Sequence, residues 1–195
     1  MTTPNEQRPA GSTQENETNT TLASDAPSAE KTKDYSRGLP FTGHEHAIVL
    51  ENDEYAAKFV PFLPEVGFVR EAVFFGEQNV PMDCDLDEAD EDPSVCVHVA
   101  VYHKVTMETV AVGRILSDGH IGRVSVLKAH RGKGLGNMVM RALLKCPDLP
   151  KTVWLGSQEY AIPFYEKLGF TVYGDMFYDG DTAMIPHYHM KLTRE

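Results

Sequence analysis

Residues 120–143 read HIGRVSVLKAHRGKGLGNMVMRAL. The stretch opens as a β-branched strand over about His120–Leu127, passes through a basic glycine-rich turn, Arg131-Gly-Lys-Gly-Leu-Gly136, and continues as an amphipathic helix. Leu135, Met138, Val139, Ala142 and Leu143 recur at i, i+3, i+4, i+7 and i+8, the stripe of a helix with one buried face. Pro147 and Pro150 end it. A strand running through such a turn into a helix aims main-chain N–H groups and the positive end of the helix dipole at an anion. Two common phosphate motifs fail here. Walker A needs Ser or Thr after its lysine, whereas Lys133 is followed by Gly134, and the dinucleotide fingerprint needs glycine where Asn137 stands. What remains is Arg-x-x-Gly-x-Gly, in which Gly134 and Gly136 let the backbone close round a pyrophosphate and Arg131 and Lys133 neutralise it.

On the N-terminal side, Val95–Tyr102 and Thr109–Leu116 are β-branched runs joined by a polar turn, an expected antiparallel hairpin. Before them, Ala47–Leu50 is a first strand, and the segment from there to Phe75 is helix-like, broken by Pro61, Pro64 and Gly67, with Val66, Val69, Val73 and Phe74 at helical spacing. Residues 83–92, DCDLDEADED, hold seven carboxylates and no base, and read as a loop. On the C-terminal side, Val153–Leu155 is a strand, Ala161–Leu168 a short helix stopped by Gly169, and Phe170–Tyr173 and His187–Leu192 two closing strands. The order implies an α/β domain with a mixed sheet flanked by helices.

The chain has 195 residues, enough for one domain with an appendage. Residues 1–40 are too poor in large apolar side chains to offset their ordering entropy and read as a disordered tail ahead of a domain at 41–195. With 18 Lys and Arg against 29 Asp and Glu, a net charge of -11, neither nucleic acid nor an anionic membrane is an expected partner. Three cysteines without a CxxC pair suit reduced thiols in the cytoplasm, with the nucleus as an open alternative, and no metal is expected because no His, Cys and Asp group has ligand spacing. No apolar run has the length of a membrane helix.

The loop after its strand resembles the phosphate loop of the GNAT superfamily of acetyl-CoA-dependent N-acetyltransferases, [RQ]xxGx[GA]. Further segments resemble the ElaA-like branch: VFFGEQNVP with the acidic run behind it, His98, HIGRVSVL, WLGSQEYAIPFYEKLGF and IPHYHM. The resemblance spans about residues 45–192. It implies a mostly antiparallel sheet of six to seven strands with a splayed pair that admits the coenzyme. Main-chain groups of Val124, Ser125 and Val126 would face pantetheine, and the amides of Arg131, Gly132, Lys133, Gly134, Leu135 and Gly136 the pyrophosphate. Between Tyr178 and Ile185 this chain carries a longer loop than the branch usually does.

An amine attacks a thioester as the free base, so a base, an oxyanion site and an acid for the thiolate are needed. The resemblance implies that acid is Tyr165. Glu77 and His187 are the expected bases, with a water relay as an alternative, and Gln158 is a polar contact to coenzyme or substrate. Asp85, Asp87 and His98 are expected at the substrate, where the acidic loop would attract a cation and the basic stretch Arg123–Lys151 would hold the coenzyme. The expected activity is acetylation of a small primary amine: a polyamine, an amino sugar or an amino acid derivative. A protein or peptide acetyltransferase and a non-catalytic coenzyme A-binding regulator are the alternatives, and a homodimer is left open.

Overall fold

The computed structural model describes residues 47–178 and 185–194, with Met82 and Asp83 as backbone alone. The expected tail at 1–40, the start of the domain at 41–46 and the long loop at 179–184 lie outside the described residues. Strands β1 (Ile48–Glu51), β2 (Tyr55–Val60), β3 (Cys96–His103), β4 (Thr109–Leu116) and β5 (Ile121–Val126) form one antiparallel sheet in chain order. A second sheet holds β6 (Thr152–Gln158), β7 (Thr171–Tyr178) and β8 (Pro186–Thr193), with β8 in the middle. The described residues thus carry eight strands, more than the six to seven expected.

The extra strand is β2. Its YAAKFV sequence sits in the segment read as helix-like, yet it pairs with β1 and β3 and is buried along nearly its whole length. Helix α1 (Pro64–Arg70) starts at a proline, which costs nothing in a first turn. A π-helical turn, Glu71–Phe75, continues it, and Val66, Val69 and Val73 face inward as their spacing predicts. The acidic run folds into α2 (Met82–Asp85) and a 3₁₀ turn, Glu88–Glu91, capped reciprocally by Asp87 and Asp90.

Helix α3 (Leu135–Leu143) buries Leu135, Val139, Met140, Ala142 and Leu143 against the larger sheet. Full burial of each large apolar side chain is worth about 1.5–3 kcal/mol, so this face holds the helix in place. The close approach needs Gly113 on β4: a Cβ there would stand 2.6 Å from Val139 Cγ1 and 3.1 Å from Leu143 Cδ1. Helix α4 (Ile162–Glu166) is shorter than expected, and Gly169, at φ 90°, stops it as a left-handed residue should.

Candidate active site

The two sheets meet through one parallel bridge, His120 to Trp154, and beyond it β5 and β6 are not paired. The register of β4 and β5 slips between Val112 and Arg114, where Arg123 adopts a left-handed φ of 57° and makes a bulge. After the bulge, Leu127 N–H donates to Val110 O at 2.9 Å, Val126 stands opposite Ala111 and Ser125 opposite Val112. Bonded and non-bonded pairs alternate along an antiparallel ladder, so the main-chain groups of Val126, and of Val124 two residues before, point into the gap towards β6. The Val126 carbonyl indeed accepts a bond there, from Arg131 Nε at 3.0 Å.

The turn that follows is shaped by Gly132 and Gly134, at φ 79° and 77°, with open space where side chains would be. Gly134 is the residue preceding α3, so its neighbours' unpaired N–H groups and the helix dipole converge there. A Cβ on Gly136 would touch Phe164 at 3.4 Å, so α4 packs directly beside the loop. Val126, Arg131, Gly134, Gly136, Phe164 and Lys167 line a cleft of about 330 Å³. Its lining of left-handed glycines and cations suits a pyrophosphate. The flanking side chains are engaged elsewhere. Lys133 Nζ donates to the Tyr55 hydroxyl at 3.0 Å, a bond that raises its pKa, and Arg131 forms two bonds to Glu77, at 2.9 and 2.7 Å. Lys167 supplies a cation that the sequence reading misses, because its position just after α4 acquires meaning once α4 packs beside the loop.

The expected catalytic groups stand on β8, on α4 and in the turn after the π-helical segment. His187, 8% exposed, donates from Nδ1 to Ile185 O at 2.8 Å, which leaves Nε2 as the ring's acceptor. It faces Gln158 across the β6–β8 register and Phe177 on β7. Gln158 Nε2 donates to Gln78 Oε1 at 3.0 Å, and Gln158 Oε1 is buried with no bonding partner among the described residues. Gln78 was invisible to sequence reading as a site residue. Tyr165 packs edge-on to Phe164 and Phe170, and burial pushes its hydroxyl well above the usual tyrosine range, with Tyr160 adding to the shift. It therefore carries its proton at neutral pH. Glu77 is brought to the loop rather than to His187, with both carboxylate oxygens on Arg131.

The acidic loop is corrected by the structure. Arg70, fully buried, bonds Asp85 through Nε at 2.9 Å and Asp90 through Nη1 at 2.8 Å, and its Nη2 also donates to the Asp85 carbonyl. Arg114 bonds Asp87 at 2.6 and 2.8 Å and Asp90 at 2.7 Å, while Arg123 Nε bonds the Asp85 carbonyl at 2.7 Å and its carboxylate at 3.1 Å. Three aspartates are thus spent on three guanidiniums, and Asp85 and Asp87 have no charge left over for an ammonium. His98 is corrected too. It is 1% exposed and bonds the Asp90 carbonyl at 3.1 Å beneath this cluster. Burial alone would raise the Asp90 pKa, yet the Arg70 hydrogen bonds and the Arg114 charge outweigh it and hold the group at about 2. A second cleft, about 250 Å³, is walled by Phe62, Phe68, Phe75 and Leu86, and Asp85 is its one candidate residue.

The fold also gathers Asp90, Cys96 and His98, whose donor atoms lie within 4.8 Å of one another, a cluster that spacing did not reveal. Its electrostatics oppose a cation: two guanidiniums already neutralise Asp90, and burial pushes the Cys96 thiol up to about 12, so it keeps its proton, which outweighs a His98 imidazole left neutral by its burial.

The Acetyltransferase (GNAT) domain family matches residues 87–194, which include the splay, the glycine loop, Gln158, Tyr165 and His187. The chain belongs to the GNAT acetyltransferase family. The uncharacterized N-acetyltransferase YjcF of Bacillus subtilis is 35% identical over 150 residues, 74% of this chain and 96% of that protein. Escherichia coli ElaA is 34% identical over 134 residues, 63% of this chain and 81% of ElaA. Among solved structures, ElaA superposes at a TM-score of 0.54 with 30% identity, covering 67% of this chain and 88% of that one. An acyl-CoA N-acyltransferase from Pseudomonas aeruginosa reaches 0.59 with 25% identity over 73% of this chain and 99% of that chain. As a GNAT enzyme the protein is an N-acetyltransferase that draws its acyl group from a coenzyme A thioester. Among the described residues no helix is long and apolar enough to cross a membrane.

Proposed function

We propose that the protein transfers an acetyl group from acetyl-CoA to the primary amine of a small molecule by direct attack in a ternary complex. The observation that carries this reading is the splay itself: a strand edge at Val126 leading, through two left-handed glycines, onto the N-terminus of α3. Amides from Arg131 to Gly136 hold the pyrophosphate, Lys167 adds charge, and the main chain from Val124 to Val126 aligns the pantetheine arm. His187 Nε2 takes the proton from the amine, whose nitrogen then bonds to the thioester carbon. A main-chain N–H on the β5 edge holds the oxyanion. As the C–S bond breaks, Tyr165 gives its proton to the thiolate, and the nitrogen, left with one proton too many by its attack, returns a proton to the tyrosinate as the amide forms. Gln158 Oε1, a buried acceptor without a partner among the described residues, receives an N–H from the acceptor or the coenzyme on this reading. Glu77 serves less well as the base, since Arg131 holds both of its oxygens.

The acceptor is an amino sugar, an amino acid derivative or a polyamine, and the pairing of Asp85 and Asp87 with arginines weakens the case for a polycation. A thiol-release assay over these amines and a set of peptides tests the proposal. Turnover with a small amine is expected. Turnover with peptides alone would make it a protein or peptide acetyltransferase, and coenzyme binding without turnover would make it a regulator.

A further inference from the structure

Resting on the acetyltransferase reading above, this inference concerns the turn after the π-helical segment. π turns inside helices frequently mark functional sites. Here the wider turn closes at Gly76, whose N–H donates to Glu71 O at 2.9 Å and where a Cβ would stand 2.7 Å from the Ala72 carbonyl oxygen. The next two side chains reach the two strands that separate. Glu77 accepts from Arg131 Nη1 at 2.9 Å and Nη2 at 2.7 Å, while Nε of the same guanidinium donates to the Val126 carbonyl at 3.0 Å. Gln78 accepts from Gln158 Nε2 at 3.0 Å. Val126 ends β5 and Gln158 ends β6, so one short turn is bonded to both lips of the splay.

We infer that Glu77 and Gln78 form a clasp across the coenzyme groove, with the Glu77 carboxylate seated as an internal anion on the guanidinium that a pyrophosphate competes for. A guanidinium fork matches carboxylate and phosphate in the same bidentate way, and here the Nη1–Nη2 edge is filled by Glu77 while Nε is held by the Val126 carbonyl, so a pyrophosphate gains a bidentate edge of Arg131 only by displacing one of them. The pair is well exposed, at 44% for Arg131 and 31% for Glu77, so it holds weakly in water and yields to a multiply charged phosphate. When Arg131 turns away, its Nε also leaves Val126 O, which exposes a main-chain acceptor on the edge facing β6. One side chain thereby couples the phosphate end of the groove to the pantetheine end. Glu77 is in this sense a positioning residue that tunes coenzyme affinity rather than a base.

The test is calorimetric titration of the full-length chain with coenzyme A itself, in low salt, for wild type, Glu77→Gln, Arg131→Met and the double variant. Glu77→Gln is expected to bind about two- to fivefold more tightly, the range for loss of one exposed ion pair, and the gain is expected to shrink as salt is added. In the Arg131→Met background the same substitution is expected to change nothing. Gln78→Leu, which cuts the other arm, is expected to shift affinity in the same direction. Unchanged or weaker binding by Glu77→Gln, or a gain that survives in Arg131→Met, would overturn the clasp. Wild-type protein that binds no coenzyme A would overturn the acetyltransferase reading and the clasp with it.

Discussion

At the scale of single residues, the site divides into groups that neighbours in sequence define and groups that distant chain segments define. Arg131, Gly132, Gly134 and Gly136 belong to the first kind: six consecutive residues make the turn, and a left-handed φ at two of them is what glycine permits. Asp85, Asp87 and His98 belong to the second. Composition displays seven carboxylates in ten residues, while their counter-charges, Arg70, Arg114 and Arg123, lie up to 38 positions away. Tyr165 and His187 were legible as chemistry, and their surroundings were not. A positioned acid is worth about 10²–10⁴-fold in rate. Tyr165→Phe, which keeps the ring contacts to Phe164 and Phe170, is expected to lower kcat at least tenfold with coenzyme affinity unchanged. A turnover number within about twofold of wild type would remove Tyr165 from the mechanism.

Among the elements, those with a strong one-faced period were read correctly and those decided by pairing were not. Helix α3 announces itself through five apolar positions, and the β3–β4 hairpin through its β-branched runs. Strand β2 misleads because Ala56, Ala57 and Lys58 are good helix formers, and pairing on both sides overrides that local preference. The acidic segment, expected as a plain loop, contains two short helical turns, the second capped by Asp87, and arginines bind Asp85, Asp87 and Asp90. The docking of α3 on β4 gives a direct test. Gly113→Ala sets a methyl group 2.6 Å from Val139 Cγ1, and overpacking of this kind costs about 1–3 kcal/mol, read as a lowered midpoint in urea denaturation. An unchanged midpoint would mean that α3 can lift off the sheet at no cost.

For the molecule as a whole, the buried arginine–aspartate cluster ties the acidic loop to β4 and to the bulge of β5, so folding should respond to acid in two stages. Burial chiefly depresses His98 from 6.5 to about 4, with Asp90 opposing, so between those values the unfolded chain binds a proton that the folded chain does not. Stability is therefore full above pH 6.5 and falls as the pH drops towards 4, by on the order of 3 kcal/mol. Asp90, lowered from 3.8 to about 2, withdraws its contribution below that, as pH falls from about 3.8 through 2. Urea midpoints that stay flat from pH 6.5 to 4 would contradict the first stage. The sequence alone determined the strand–loop–helix with its basic glycine turn, the α/β class and the resemblance to an acetyl transferring family, because each depends on residues adjacent in the chain or repeating at a short period. Tertiary structure alone decided where β5 parts from β6, which anion each arginine holds, and that Glu77 and Gln78 bridge the two lips. Those outcomes depend on charges and strand edges that meet across tens of residues, where spacing along the chain carries no distance.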